Sequence, residues 1–241
     1  MSPDRRRHRG AHPEDARLFA DDVIARLRVA TSEMSWLLSR GYQPKSALKL
    51  VGDRHGLRER QRLAVARAAC SDESRERRRA RCLNARAVQG ADLIVDGFNL
   101  IITAEAALSG GVLVLCRDQT LRDLSSVHGS YRAVEETERA IRLAEDVLET
   151  LCPASVVWLL DRPVSNSGRL AARIRRLADE HNWPWTVETE FNPDRTIINS
   201  ERIAVTSDSN VLDHVARWFN FNRLLVERHV PQAWTIDLSC D

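Results

Sequence analysis

The pattern of apolar and polar positions divides the chain into two textures. From Pro13 to Ser39 the apolar residues Leu18, Val23, Ile24, Leu27, Trp36 and Leu37 follow a helical period, with Gly41 as a stop. Pro44 suits the first turn of a second helix running through Leu50. "GLRERQRLAVARAAC" predicts a third helix, and "SDESRERRRARCLNARAV" a fourth that starts from a Ser71 or Asp72 cap. No strand is expected before Ala91.

After Ala91 short, continuously apolar runs alternate with helical stretches. "ADLIVD", "VLVLC", "SVVWLLD", "PWTVETEF", "RIAVTSD" and "AWTIDL" read as strands. "NLIITAEAAL", "AVEETERAIRLAEDVLETL", "SGRLAARIRRLADEHN" and "NVLDHVARWF" read as helices. This alternation predicts an α/β fold with a mostly parallel sheet and helices on both faces. A sheet covered on both sides needs strands that are apolar throughout. The expected organisation is a disordered basic tail over residues 1–12, a helical N-terminal domain over 13–88 and an α/β domain over 89–241.

Open parallel sheets bind ligands beyond the carboxyl ends of their strands, and the strand ends here are acidic. Asp96, Asp118, Asp161 and Asp208 each follow an apolar run, and Asp213 lies about one helical turn after Asp208. Any one of them alone reads as a turn former or a helix cap. Gathered at one edge they would repel, by roughly 4 kcal/mol for two carboxylates about 4 Å apart at an effective dielectric near ~20. A hard divalent cation relieves that repulsion. Mg²⁺ or Mn²⁺ takes oxygen ligands and keeps several waters, and such a site activates water and stabilises a phosphodiester transition state. The expected catalytic and metal-binding residues are Asp96, Asp161 and Asp208, with Asp118 and Asp213 as outer ligands. Asn99 either adds a neutral oxygen to the site or starts the following helix. Glu138, in the long middle helix, is a weaker ligand candidate.

Two polar stretches supply candidate substrate contacts. In "DRPVSNSGRLAARIRR", Ser165 and Ser167 stand where a helix N-terminus can face an anion, and Arg162 and Arg169 add charge. An ordinary cap on a solvated helix explains the same residues. In "RDQTLRDLSSVHGSYR", Arg122, His128 and Tyr131 are expected contacts of a substrate loop. His128 suits proton transfer or phosphate contact because an unperturbed imidazole titrates near ~6.5; a loop histidine also commonly does neither.

Charge and composition narrow the classes. The net charge is +2, so the overall field is weak, but "PDRRRHR" and "SRERRRARCLNAR" are local basic runs. Lys45 and Lys49 are the sole lysines. Arginine's planar fork suits phosphate, so the second run either tracks a nucleic-acid backbone or faces solvent. Trp183, Trp185 and Trp218 suit base stacking or the core. Five cysteines without a CxxC pair argue against a zinc knuckle. The absence of GxxxxGK[ST] removes most support for a kinase or ATPase. No apolar segment follows the basic start, and no run approaches the roughly 20 residues of a membrane span. The expectation is a cytoplasmic protein with reduced thiols and no membrane association.

"LIVDGFNLI" resembles the first motif of PIN-like nucleases, particularly their NYN branch, and "VTSDSNVLD" resembles a later motif of the same fold. The resemblance spans roughly residues 91–218. It implies that Asp96 binds metal, that Asp208 completes the acidic cluster, and that Asp161 stands at a further acidic position, although "LLDRPVSNSG" is not a standard motif of that family. Asn210 stands where the NYN pattern often has a second aspartate. The whole chain also resembles an uncharacterised prokaryotic group that joins a helical domain of unknown function 434 to domain of unknown function 5616. The stretch "RDQTLRDLSSVHGSYR" carries that likeness, which implies architecture and no activity.

The expected function is a Mg²⁺- or Mn²⁺-dependent endoribonuclease. Two alternatives stay open. One is an RNA-binding module with a weakened metal site, which Asn210 favours. The other is a phosphohydrolase or phosphotransferase acting on a small molecule. The expected partner is nucleic acid, RNA, with the Arg-rich helices holding its backbone; a homo-oligomer is a further expectation.

Overall fold

The computed structural model describes residues 8–125 and 131–239. The chain opens with α1 (Asp15–Leu18), α2 (Asp21–Ser39), α3 (Pro44–Arg54), α4 (Glu59–Ala68) and α5 (Asp72–Arg81). Pro44 sits in the first turn of α3, and the Ser71 hydroxyl caps α5 by accepting from the Ser74 N–H at 3.1 Å. The expected fourth helix breaks after Arg81. Cys82 and Leu83 form a two-residue strand, β1, and α6 (Ala85–Val88) restarts from an Asn84 cap. The break is tertiary in origin: β1 pairs with a strand far along the chain, so the expectation of no strand before Ala91 fails here.

The remainder runs β2 (Asp92–Asp96), α7 (Gly97–Leu108), β3 (Leu113–Leu115), β4 (Leu121–Asp123), α8 (Thr137–Leu151), β5 (Ser155–Asp161), α9 (Ser167–His181) and β6 (Trp185–Glu190). It continues through α10 (Pro193–Ile198), β7 (Ile203–Val205), α11 (Ser209–His214), β8 (Trp218–Phe219), α12 (Phe221–His229) and β9 (Thr235–Asp237). The six-stranded sheet has the order β1-β8-β7-β2-β5-β6, and every pairing in it is parallel. Helices flank both faces. Leu93, Val95, Trp158, Leu160 and Val205 face α7, α8, α9 and α12, whereas Ile94, Leu159 and Ala204 face α10 and α11. Strands buried on both sides leave no room for polar alternation, hence the continuous apolar runs.

β3 does not join that sheet. With antiparallel β4 and parallel β9 it forms a separate three-stranded sheet in the order β4-β3-β9. The N-terminal helices cover this small sheet: Leu27, Ala30, Met34, Ala64 and Val65 share a core with Val112, Val114, Leu124 and Ile236. Helices before residue 88 and strands after it thus complete one another. Residues 8–12, expected within a disordered tail, are anchored: the buried Arg9 pairs with the buried Glu105 of α7. Among the described residues no helix is long and apolar enough to cross a membrane.

Candidate functional site

The chain direction across the large sheet reverses at β2. From β2 it builds outward through β5 and β6, then returns to the other flank with β7 and β8. The crevice at such a reversal is where open α/β sheets bind ligands. Asp96 ends β2 at this point and is buried. Gly97 must follow it. A Cβ there would lie 2.7 Å from Leu160 Cδ2 and 3.0 Å from the Leu159 carbonyl, so only glycine lets α7 begin this close to β5.

Asp96 is both strand end and helix cap. Its Oδ1 accepts the Asn99 N–H at 3.2 Å, and its Oδ2 accepts the Thr206 hydroxyl at 2.9 Å. Thr206 Oγ1 in turn accepts the Asp208 N–H at 3.0 Å. Asp208 caps α11, its Oδ1 accepting from Asn210 N at 2.8 Å and Val211 N at 3.1 Å. Asp161 joins by register. Leu159 pairs with Asp96, so Asp161, two residues on, lies on the same side of the pleat. That side carries α10 and α11. A fourth carboxylate, Asp194 in the first turn of α10, comes from the same side.

The electrostatics tie these residues together. Burial pushes the Asp96 carboxyl up, and the Asp208 and Asp194 charges push it further, to about 7 against the opposing bonds from Thr206 and Asn99. Burial raises Asp194, with Asp208 and Asp161 adding to it. Asp161 is raised by burial. For Asp96 and Asp194 the neighbouring charges that weigh most are carboxylates. Among the described residues, no three His, Cys, Asp or Glu side chains are grouped closely enough to hold one metal ion.

The other expected site residues fall elsewhere. Asp118 follows β3 in the small sheet and is fully engaged. Its Oδ2 accepts from Arg78 and Arg122, each at 2.6 Å, and its Oδ1 accepts the N–H and hydroxyl of Thr120. Burial alone would raise this carboxyl; the two guanidiniums hold it down at about 2. Asp213 is held bidentately by Arg78, at 2.9 and 2.7 Å. Asp118 is fully buried with no free edge, and Asp213, though partly exposed, commits both oxygens to Arg78. Arg122 is buried as well, bound to Asp118, the Ser207 carbonyl and the Arg67 carbonyl, so it is not a substrate contact. Tyr131 is corrected likewise: its buried hydroxyl donates to Glu105 at 2.6 Å.

Asn99 braces the switch point rather than facing a ligand. Its Oδ1 accepts from Ser207 N, Ser207 Oγ and Asn222 Nδ2. Ser165 and Arg169 are exposed near the start of α9, and Ser167 is buried with its hydroxyl on the Arg162 carbonyl at 3.4 Å. Arg162 is exposed and donates to the Thr189 carbonyl at 2.8 Å. Glu138 pairs with Arg142 on α8. His128 lies outside the described residues. Asp194 was not anticipated. Its signal is local: "NPDRT" begins one residue past the end of β6, with Asn192 as cap and Pro193 in the first turn.

The fold and the site define a parallel α/β protein with a carboxylate-lined switch point and a helical N-terminal region. The chain belongs to the family described as Domain of unknown function (DUF5616), which matches residues 85–224. Residues 26–81 match Protein of unknown function (DUF434). The chain is 32% identical over 183 residues to "Uncharacterized protein MJ0935" of Methanocaldococcus jannaschii, a match covering 76% of this chain and 87% of that protein. No solved structure matches.

Proposed function

We propose that this protein is a Mg²⁺- or Mn²⁺-dependent nuclease of PIN-like type that cleaves RNA, with Asp96, Asp161, Asp194 and Asp208 as its acidic site. One observation carries the reading. The buried Asp96 and the half-buried Asp194 at the sheet's switch point are each raised by burial and by neighbouring carboxylates, Asp208 acting on both. In an arginine-rich chain that neutralises Asp118 twice over, this leaves negative charge for an external cation. The donors are all hard oxygens, which suits Mg²⁺ or Mn²⁺. Among the described residues they form no three-carboxylate cage, so an ion would have to be held through one or two carboxylates and its own waters. When bound, the ion would polarise a phosphoryl oxygen and lower the pKa of an attacking water.

The chain's own residues do the rest. Thr206 and the Asn99 N–H fix both oxygens of Asp96. Asp208 is oriented by its cap on α11. Asp194, raised by burial and by two neighbouring carboxylates, suits taking a proton from the attacking water at its carboxylate oxygens, because a base works best with a pKa nearer neutrality. The test is cleavage of labelled RNA with Mg²⁺, with EDTA, and by Asp96→Asn. Cleavage in the first alone is expected; equal cleavage in all three rejects the mechanism.

A second reading is an RNA-binding module of the same fold. It is favoured by Asn210 and by the lack of a closely grouped ligand set. RNA binding that ignores EDTA, without turnover, selects it.

A further inference from the structure

Phe191 is the most exposed large apolar side chain among the described residues, at 71%. It follows β6 directly and precedes the Asn192 cap of α10. Nothing in the local fold calls for an aromatic ring there. Asn192 and Pro193 start the helix, and the ring belongs to none of the buried cores.

The ring is nevertheless held. The Arg162 guanidinium lies 4.8 Å from its centroid, and the same guanidinium is anchored by Nη2 to the Thr189 carbonyl at 2.8 Å. The backbone adds a second tie, Arg162 N–H to the Glu190 carbonyl at 2.6 Å. One side of the ring thus meets a fixed cation while most of its surface meets water. Arg162 is the residue after Asp161, and Phe191 lies three residues before Asp194, so the pair is joined by short stretches of chain to two carboxylates of the proposed site. Arg169 and Arg195, both exposed, sit in the first turns of α9 and α10 at the same sheet edge.

We infer that Phe191, backed by Arg162, is a stacking platform for an unpaired nucleobase and selects single-stranded nucleic acid at the acidic site. A base offers a flat π-face that stacks on an aromatic ring whatever its identity, and arginine adds a cation–π contribution. A duplex keeps those faces stacked on one another and cannot present one to Phe191. The exposed arginines supply cations for the flanking phosphates. This rests on the acidic edge being the nucleic-acid site; the stacking role itself requires no cleavage.

The experiment is fluorescence titration of the full chain, in EDTA, with a short RNA carrying 2-aminopurine, the same sequence as DNA, and the RNA as a duplex. Phe191→Ala, Phe191→Trp and wild type are compared, with thermal melts confirming that each is folded. Wild type should bind either single strand more tightly than the duplex and quench the probe. Phe191→Ala should weaken single-strand binding roughly 10-fold or more, the scale of one lost base stack, while Phe191→Trp retains it. Equal binding by Phe191→Ala and wild type overturns the platform, as does a duplex bound as well as the strand, or no binding by wild type. Phe191-dependent binding without Mg²⁺-dependent cleavage supports the platform and rejects the nuclease reading. Cleavage that needs Mg²⁺ and Asp96 but ignores Phe191 does the reverse.

Discussion

The Thr206 hydroxyl donates to Asp96 Oδ2 at 2.9 Å, joining the ends of β7 and β2 where the sheet changes direction. Thr206 Oγ1 also accepts the Asp208 N–H, so a single hydroxyl positions two of the proposed site's carboxylates. Thr206→Val removes both roles at nearly constant volume. It should cost about 1–3 kcal/mol, the penalty of leaving a buried acceptor unsatisfied. It should also move the Asp96 titration upward, because the lost bond favoured the charged form. Urea denaturation and carboxyl NMR titration read the two effects.

Asp96 makes stability depend on pH in an unusual direction for an aspartate. Its folded-state value, about 7, lies above the ordinary 3.8. Protonation therefore favours the folded state. The contribution is full below about pH 4 and is lost as pH rises through 7, with a total on the order of 4 kcal/mol. Asp96→Asn removes the charge and keeps one acceptor oxygen, for the Asn99 N–H, while its amide nitrogen can only donate toward Thr206 Oγ1. Between pH 5 and pH 8 it should lose less stability than wild type; parallel pH profiles of the two proteins contradict this.

Divalent cations should stabilise the protein, and should do so more at pH 8 than at pH 5. At pH 8 Asp96 is ionised and the acidic site carries its greatest negative charge. An ion at 100-fold its Kd adds about 2.7 kcal/mol, readable as a rise in Tm by calorimetry. Asp208→Asn should shrink that rise. An unchanged Tm with Mg²⁺ or Mn²⁺ at either pH contradicts a cation site.

Asp118 behaves in the opposite sense. Held down at about 2 by Arg122 and Arg78, it stabilises the fold above its ordinary range, and this contribution is lost as pH falls from about 4 through 2. Asp118→Asn leaves the buried Arg122 guanidinium without its carboxylate, while Arg78 keeps Asp213; this should cost about 3–5 kcal/mol. RNA binding per folded molecule should be unchanged.

How far the sequence reached depended on whether a feature was local. The run ending in Asp96 was legible because an apolar strand, a carboxylate and a close-packed Gly97 are consecutive. Asp118 looked equivalent because "VLVLC" has the same apolar texture. Which sheet a strand joins is decided by its partners, here β4 and β9, and not by its own pattern. Tyr131 and Arg122 sit in a polar stretch that reads as a surface loop, yet both are buried in satisfied networks. Residue type alone does not reveal that burial. Asp194 went unseen because α10 spans only Pro193–Ile198, too short for a periodic signal.

Arg78 carries one more consequence. It lies within the segment matched to DUF434, and its guanidinium reaches Asp118, Asp213 and the Ser209 carbonyl, all within the segment matched to DUF5616. Trp218 returns the contact by donating its indole N–H to the Arg78 carbonyl at 2.7 Å. Severing the chain near residue 84 would give two fragments, one with a cation stripped of its anions and the other with anions stripped of their cation. Neither half could serve as an interchangeable module, because the border between the two named regions passes through a shared lattice of charge.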